Sequence, residues 1–226
     1  MILLNRWLLF LEAIGACGDS PAVFADLDRR YREPGRFYHT WEHVAECLAD
    51  RDAAHDLCDT PAEVELALWF HDAVYDPRAS DNEARSAALL REAAGRLGIG
   101  TNLADRAAGL VMATAHLAGT GDSHGPAAGP VSARDAAEGA SLARDAAAIR
   151  DIDLSILGAP PARFGAYEAA VRREYAFLSD SEWRTGRSRV LRIFLGLPRI
   201  YLTAAFHDRL EQQARANLAG SLRRLA

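Results

Sequence analysis

VELALWFHDAVYD, residues 64–76, is the most apolar helical stretch of the chain, and an imidazole and a carboxylate, His71 and Asp72, interrupt it. Pro61 stands where a helix start belongs, and the apolar period runs on to about residue 75. Burying an ionisable pair without compensation costs several kcal/mol. A metal ion is the usual compensation for imidazole and carboxylate together, and a salt bridge to Arg is the competing one. Two more of the seven histidines precede an Asp. His55–Asp56 sits in the polar segment AHDLCDTP and His207–Asp208 in FHDRLEQQ, and solvated helix-end residues account for both.

Outward from this stretch the helical period repeats almost everywhere. Alternating β-branched runs are absent, and 45 of the 226 residues are Ala. The pattern predicts helices over 2–16, 21–31, 40–55, 61–75, 81–97, 102–117, 134–156, 160–178, 181–195 and 199–224, the last breaking near 206. Residues 119–133, GTGDSHGPAAGPVSA, read as a flexible surface loop. The pattern is alike on both sides of it, so residues 1–226 read as one all-α domain.

Composition excludes several chemistries. No Lys occurs, so all 26 basic residues are Arg, and neither a Schiff-base lysine nor a Walker-type lysine exists. Net charge is −5, with no basic excess for nucleic acid. Cys17, Cys47 and Cys58 form no C-x-x-C, which removes a thioredoxin-like motif and a Cys-rich zinc site and fits a reducing cytoplasm. No run of 18 apolar residues suggests a membrane span, and MILLNRWLLFLEAIGA, with Arg6 and Glu12 in helical phase, reads as an amphipathic first helix rather than a signal peptide.

Two further stretches place chemistry among apolar residues. In YHTWEHV, residues 38–44, His39 and His43 are four apart on a predicted helix and so share one face. In DIDLSILG, residues 151–158, Asp151 and Asp153 lie at an apolar helix end, either as a cap or as the last carboxylate of a metal site.

A His, an apolar-flanked His-Asp 28 residues on and a distant Asp, all on helices, resemble the HD phosphohydrolase superfamily. The likeness extends in order through YHTWEHV, ALWFHDAVYD, NEARSA, ATAHL, DIDLSILG, VRREY, GRSRVL, IYLTAAF and EQQARANL, over roughly residues 30–220. These segments resemble a branch of predicted metal-dependent HD phosphohydrolases. The resemblance implies an HD-domain helical bundle and a divalent metal. YHTWEHV and IDLS also resemble the catalytic domain of cyclic-nucleotide phosphodiesterases. That likeness implies His43 as ligand, His39 as the acid that protonates the leaving oxygen, and Asp153 as last ligand, with Asp151 behind it or at the helix end. Thr40 departs from that family's Asn, and the cyclic-nucleotide substrate is not carried over.

The implied ligand set is His43, His71, Asp72 and Asp153. Two nitrogen and two oxygen donors suit Mn, Fe, Co, Ni or Zn, with Mg less favoured beside imidazole. The expected reaction is hydrolysis of a small phosphorylated metabolite, a nucleotide first, by metal-activated water. Glu83 in NEARSA is a candidate for positioning the water, or an acid at a helix N-terminus. His116 and Arg187 are candidates for substrate binding, with Arg36, Arg172 and Arg192 as further guanidinium groups for phosphate. His124 in the loop reads as solvated, and Tyr38, Tyr175 and Tyr201 read as core aromatics with hydrogen-bonded hydroxyls. Two other readings compete. A di-iron oxygenase would need extra histidines, for which only His116 and His124 are available, and two irons per chain. A metal- or nucleotide-binding regulator would bind without turnover.

Overall fold

The computed structural model describes residues 2–115 and 133–226. His116, His124 and the expected loop up to residue 132 lie outside the described residues. Among the described residues the chain is all-helical: α1 (Ile2–Ala13), α2 (Ser20–Tyr31), α3 (Trp41–Ala53), α4 (Pro61–Phe70), α5 (Asn82–Leu97), α6 (Thr101–Ala113), α7 (Ala133–Asp153), α8 (Pro161–Glu174), α9 (Asp180–Gly196) and α10 (Ala204–Leu225), with short 3-10 turns at His55–Leu57 and Leu154–Gly158. None of the helices searched is long and apolar enough to cross a membrane.

Helix α4 is the axis. Every residue from Val64 to Phe70 is buried, and each large apolar side chain so buried contributes roughly 1.5–3 kcal/mol. The one charge among them, Glu65, is paired with Arg6 at 3.0 Å and Arg51 at 3.1 Å. On one side Trp7 meets Trp69 edge-on at 5.2 Å, and the Tyr31 hydroxyl donates to the Trp69 carbonyl. On the other side the Ala-rich faces of α5 and α6 close against α4 through buried Ala87, Ala94, Ala104, Ala107 and Ala108. Small side chains let the axes approach, which is where much of the alanine goes. The α1–α2 turn caps α5: Cys17 and Gly18 donate their N–H groups to the Leu97 carbonyl. A Cβ at Gly18 would stand 1.9 Å from the Arg96 carbonyl oxygen, so only glycine fits there.

Three boundaries that bear on the site differ from the sequence expectation. Helix α4 stops at Phe70, so His71 and Asp72 form the turn after it rather than lying inside a helix reaching 75. The carbonyls that would continue the helix are taken by side chains. His71 Nδ1 donates to the Leu68 carbonyl at 2.9 Å, and Arg36 donates to the carbonyls of Asp72 at 2.6 Å and Ala73 at 3.0 Å. Likewise α3 begins at Trp41, so His39 precedes the helix. Thr40 is its N-cap, accepting from the Glu42 N–H. Residues 199–203 also lie outside α10: Glu211 accepts the N–H groups of Ile200 and Tyr201, and Asp151 those of Leu202 and Thr203.

Candidate metal centre

Four side chains from three separated stretches meet where the start of α3, the end of α4 and the end of α7 converge. His43 Nε2 is 3.1 Å from His71 Nε2, 3.0 Å from Asp153 Oδ1 and 3.4 Å from Asp72 Oδ2. His71 Nε2 is 3.1 Å from Asp72 Oδ2 and 3.6 Å from Asp153 Oδ1. Both imidazoles are buried. Asp153 is carried here by the last turn of α7, which is braced from beneath. Tyr201 Oη donates to the Leu154 carbonyl at 3.1 Å, and Asn217 Nδ2 donates to the carbonyls of Leu157 and Ala159 at 2.8 Å each.

The donor set fits a cation. The Leu68 carbonyl fixes the His71 proton on Nδ1, so the Nε2 lone pair faces inward. Two imidazole nitrogens and two carboxylate oxygens then crowd one point, and such acceptors repel unless protons or a positive ion lie between them. Ligand bonds of about 2.0–2.2 Å place neighbouring donors roughly 3.0–3.5 Å apart, which four of the five separations match, His71 Nε2 to Asp153 Oδ1 being slightly longer at 3.6 Å. The buried group His43, Cys47, His71 and Asp153 could hold a metal ion, each offering one ligand atom within 4.8 Å of the others. Cys47 Sγ is 3.7 Å from both ring nitrogens of His43. That equidistance puts the sulfur beside the ring rather than ahead of the Nε2 lone pair, whereas Asp72 Oδ2 faces both Nε2 atoms. Arg36 bonds the backbone of Asp72, and no arginine among the described residues pairs with its carboxylate, so the salt-bridge reading of the His-Asp pair loses its partner.

Electrostatics repeat the point. Burial alone would lower the His71 pKa, yet the adjoining Asp72 and Asp153 carboxylates drive it well above the ordinary histidine range. His43 moves the same way against its burial, through Cys47, Tyr38 and its bonds to Asp153 and Asp72. Burial would raise Asp72, but His71 and His39, with the bonds from His43, hold it well below the carboxylate range. The cluster therefore retains protons that a cation would displace.

The largest feature that sequence reading missed is Glu174. Its carboxylate accepts three consecutive backbone N–H groups, from Phe37 at 2.7 Å, Tyr38 at 2.7 Å and His39 at 3.0 Å. It also accepts from His39 Nδ1 at 2.7 Å and from the Tyr75 hydroxyl at 3.1 Å. Tyr75 stacks on the His39 ring at 4.0 Å. His39 is thereby held with Nε2 turned away from Glu174. Its ring centre is 6.1 Å from that of His43, and it lines a cavity beside Asp153. Burial works against ionisation of Glu174, but the His39 bond and the N–H groups of Tyr38 and Phe37 hold its pKa down to about 2. The signal was VRREY, whose acid reads in sequence as one more charge at a helix end.

Other expected residues divide. Arg187 lines the same cavity, with Nε donating to Glu168 at 3.0 Å and Nη2 to the Tyr167 hydroxyl at 3.0 Å. Arg36 is a strut: its donors go to Glu33 and to the carbonyls of His39, Asp72 and Ala73, so none is left for phosphate. Arg172 is spent on the Tyr175 and Leu178 carbonyls and on Asp180. Arg192 is exposed. Glu83 lies half-buried in the first turn of α5 and makes no hydrogen bond or ion pair among the described residues. Asp151 faces away from the cluster onto residues 202–203. His55 is an exposed partner of Asp56, and His207 is tied to Arg199 and Glu211. Of the tyrosines, Tyr201 has its partner and Tyr175 packs its ring against Phe177 and Trp183. Tyr38 departs from expectation, because its buried hydroxyl has no partner among the described residues. Compared with known proteins, the chain matches no family model, no curated protein and no solved structure.

Proposed function

We propose that this protein is a divalent-metal-dependent phosphohydrolase acting on a small phosphate monoester. The observation that carries the reading is that Asp72 Oδ2 and Asp153 Oδ1 each lie 3.0–3.6 Å from both His43 Nε2 and His71 Nε2, themselves 3.1 Å apart, beside a histidine tethered to a buried carboxylate. The resemblance of the same segments to HD phosphohydrolases supports it. Mn, Fe, Co, Ni or Zn suits the mixed donor set, and Mg suits it less. Such an ion, when bound, supplies Lewis acidity and brings the pKa of a water toward neutrality.

The chain's own residues do the rest. Water adds to phosphorus, the bond to the ester oxygen breaks, and inorganic phosphate and the alcohol leave. His39 delivers the proton that the departing oxygen needs, from Nε2. Glu174, ionised and fixed by three backbone N–H groups, holds the Nδ1 proton and aims the ring. Tyr75 covers the other face of the imidazole and limits its rotation.

The test is phosphate release from a panel of phosphate monoesters and nucleotides by metal-loaded protein, with metal content measured on protein purified without chelator. Metal-dependent release that His71→Ala abolishes supports the reading. No release from any member of the panel, with His71→Ala altering stability alone, overturns it. About one iron per chain, rather than two, separates it from a di-iron oxygenase.

A further inference from the structure

Resting on the phosphohydrolase reading, we infer that the cavity next to Asp153 and His39 is the seat of the alcohol portion of the substrate, and that this portion is a short, uncharged, hydroxylated carbon chain. The cavity has a volume of about 170 Å³, below the roughly 300–1,000 Å³ of ordinary small-molecule sites. A base and ribose would have to project from its mouth, whereas a few carbon atoms fit inside. Its walls are apolar, chiefly Leu157, Val190 and Phe194, and three polar groups stand among them: Tyr38, Tyr167 and Arg187.

Tyr38 is the informative one. Its side chain is buried at 7 % exposure, its ring rests edge-on against Tyr167 at 4.6 Å, and its hydroxyl has no protein partner among the described residues. A buried hydroxyl left unmade is costly, and native proteins seldom leave one without a task. Tyr167 receives an N–H from Arg187, so its own proton is free to be donated. Arg187 is bonded through Nε and Nη2, and Nη1 has no protein partner among the described residues. The cavity thus offers hydrogen bonds to oxygen atoms. It does not offer net positive charge, because Glu168 already pairs with Arg187 and Asp153 lies at the other end. A second phosphate or a carboxylate on the substrate would find no counter-charge there. A hydroxyl would find both a donor and an acceptor.

The experiment compares glycerol 1-phosphate, propyl phosphate, 3-phosphoglycerate and AMP as substrates of the Mn²⁺-loaded full chain. It is paired with calorimetric binding of the same four compounds, and both readouts are repeated on Tyr38→Phe, which keeps the packed ring. Glycerol 1-phosphate is expected to exceed AMP and 3-phosphoglycerate at least about tenfold in kcat/KM. Tyr38→Phe should raise KM for glycerol 1-phosphate about tenfold, one hydrogen bond's worth, and leave propyl phosphate unchanged. Val190→Phe, which fills the cavity, should weaken every ester while leaving Mn²⁺ affinity as it was. The inference is overturned if AMP or 3-phosphoglycerate is used as well as glycerol 1-phosphate, or if Tyr38→Phe shifts glycerol 1-phosphate and propyl phosphate alike. Should no ester be hydrolysed, the phosphohydrolase reading fails on its own, and calorimetry still decides the cavity. A tenfold preference for glycerol 1-phosphate that Tyr38→Phe removes upholds its specificity, and equal binding of the four compounds refutes it.

Discussion

Asp151 and Asp153 leave α7 two residues apart, which at 3.6 residues per turn points them about 200° from each other, and they enter two different kinds of surroundings. Asp151 meets donors. The N–H groups of Leu202 and Thr203 and the Thr203 hydroxyl reach its two oxygens at 2.7–2.8 Å, so the carboxylate is saturated and the backbone of residues 202–203 is fixed. Asp153 meets imidazoles, one of which is tethered through Nδ1 to the Leu68 carbonyl so that its Nε2 faces the cluster. The same contrast recurs through the molecule. Asp145 gathers the N–H groups of Asp59 and Thr60, Glu211 those of Ile200 and Tyr201, and Glu174 those of residues 37–39. Buried acids here mostly staple loops. Asp72 and Asp153 instead face the ring nitrogens of His43 and His71, and that separates a site from scaffolding.

The comparison breaks most visibly under exchange of one atom. Asp153→Asn should reduce kcat/KM for a phosphate monoester by about 10³-fold, several kcal/mol of lost transition-state stabilisation, with thermal stability close to the parent. Asp151→Asn should do the reverse. Turning an amide toward backbone donors costs about 3 kcal/mol, a fall in Tm of about 6–12 °C for a chain of this size, with activity per folded molecule retained. Parallel activity and calorimetry on the two variants decide it, and equal effects would dissolve the distinction.

Glu174 belongs to both classes, and Glu174→Gln should show both signatures. Its folded pKa of about 2 lies below the ordinary 4.5. Its stabilisation is therefore complete above pH 4.5 and is lost as pH falls from about 4.5 to about 2. At 1.36 kcal/mol per pH unit the share is about 3 kcal/mol. Urea unfolding at pH 6 and pH 3 should show about 2 kcal/mol of this loss in the parent, at 1.36 kcal/mol for each of the 1.5 pH units below 4.5, and not in Glu174→Gln. Activity of that variant should drop about 10²-fold at neutral pH as His39 loses its orienting acceptor.

Metal should report the same division more gently. At a free Mn²⁺ concentration 100 times Kd, the ion adds about 2.7 kcal/mol of stability, or about 5–10 °C in Tm for this size. Chelator should remove the gain. It should persist in Asp151→Asn and vanish in Asp153→Asn. The smallest effect is expected at Glu83: Glu83→Gln should change kcat/KM less than about threefold, consistent with an acid that makes no bond among the described residues.

Much of this was legible in the residues. Helical periodicity gave the all-α class, and apolar flanks singled out His71–Asp72 from the two other His-Asp pairs. The same logic in DIDLSILG brought out both aspartates, and the phosphodiesterase likeness favoured Asp153. What escaped were interactions between distant backbone and side chain. Pattern gives no sign that Glu174 collects N–H groups from 135 residues away, that Thr40 is a cap that leaves His39 outside its helix, or that Arg36 turns inward. Nor could periodicity end α4 at Phe70, since the signal for stopping is a carbonyl taken by His71 rather than a glycine or proline. Tyr38 reads as core and is core, and only its lack of a partner marks it out.

Arg36 gives the arrangement one more property. A single guanidinium fastens the carbonyls of His39, Asp72 and Ala73, although 33 residues of chain separate the first from the second. The proton-delivering side and the cation-holding side are thus riveted through their backbones, and the reach from imidazole 39 to the ion's cradle is set by a side chain that bonds neither imidazole nor carboxylate of the site.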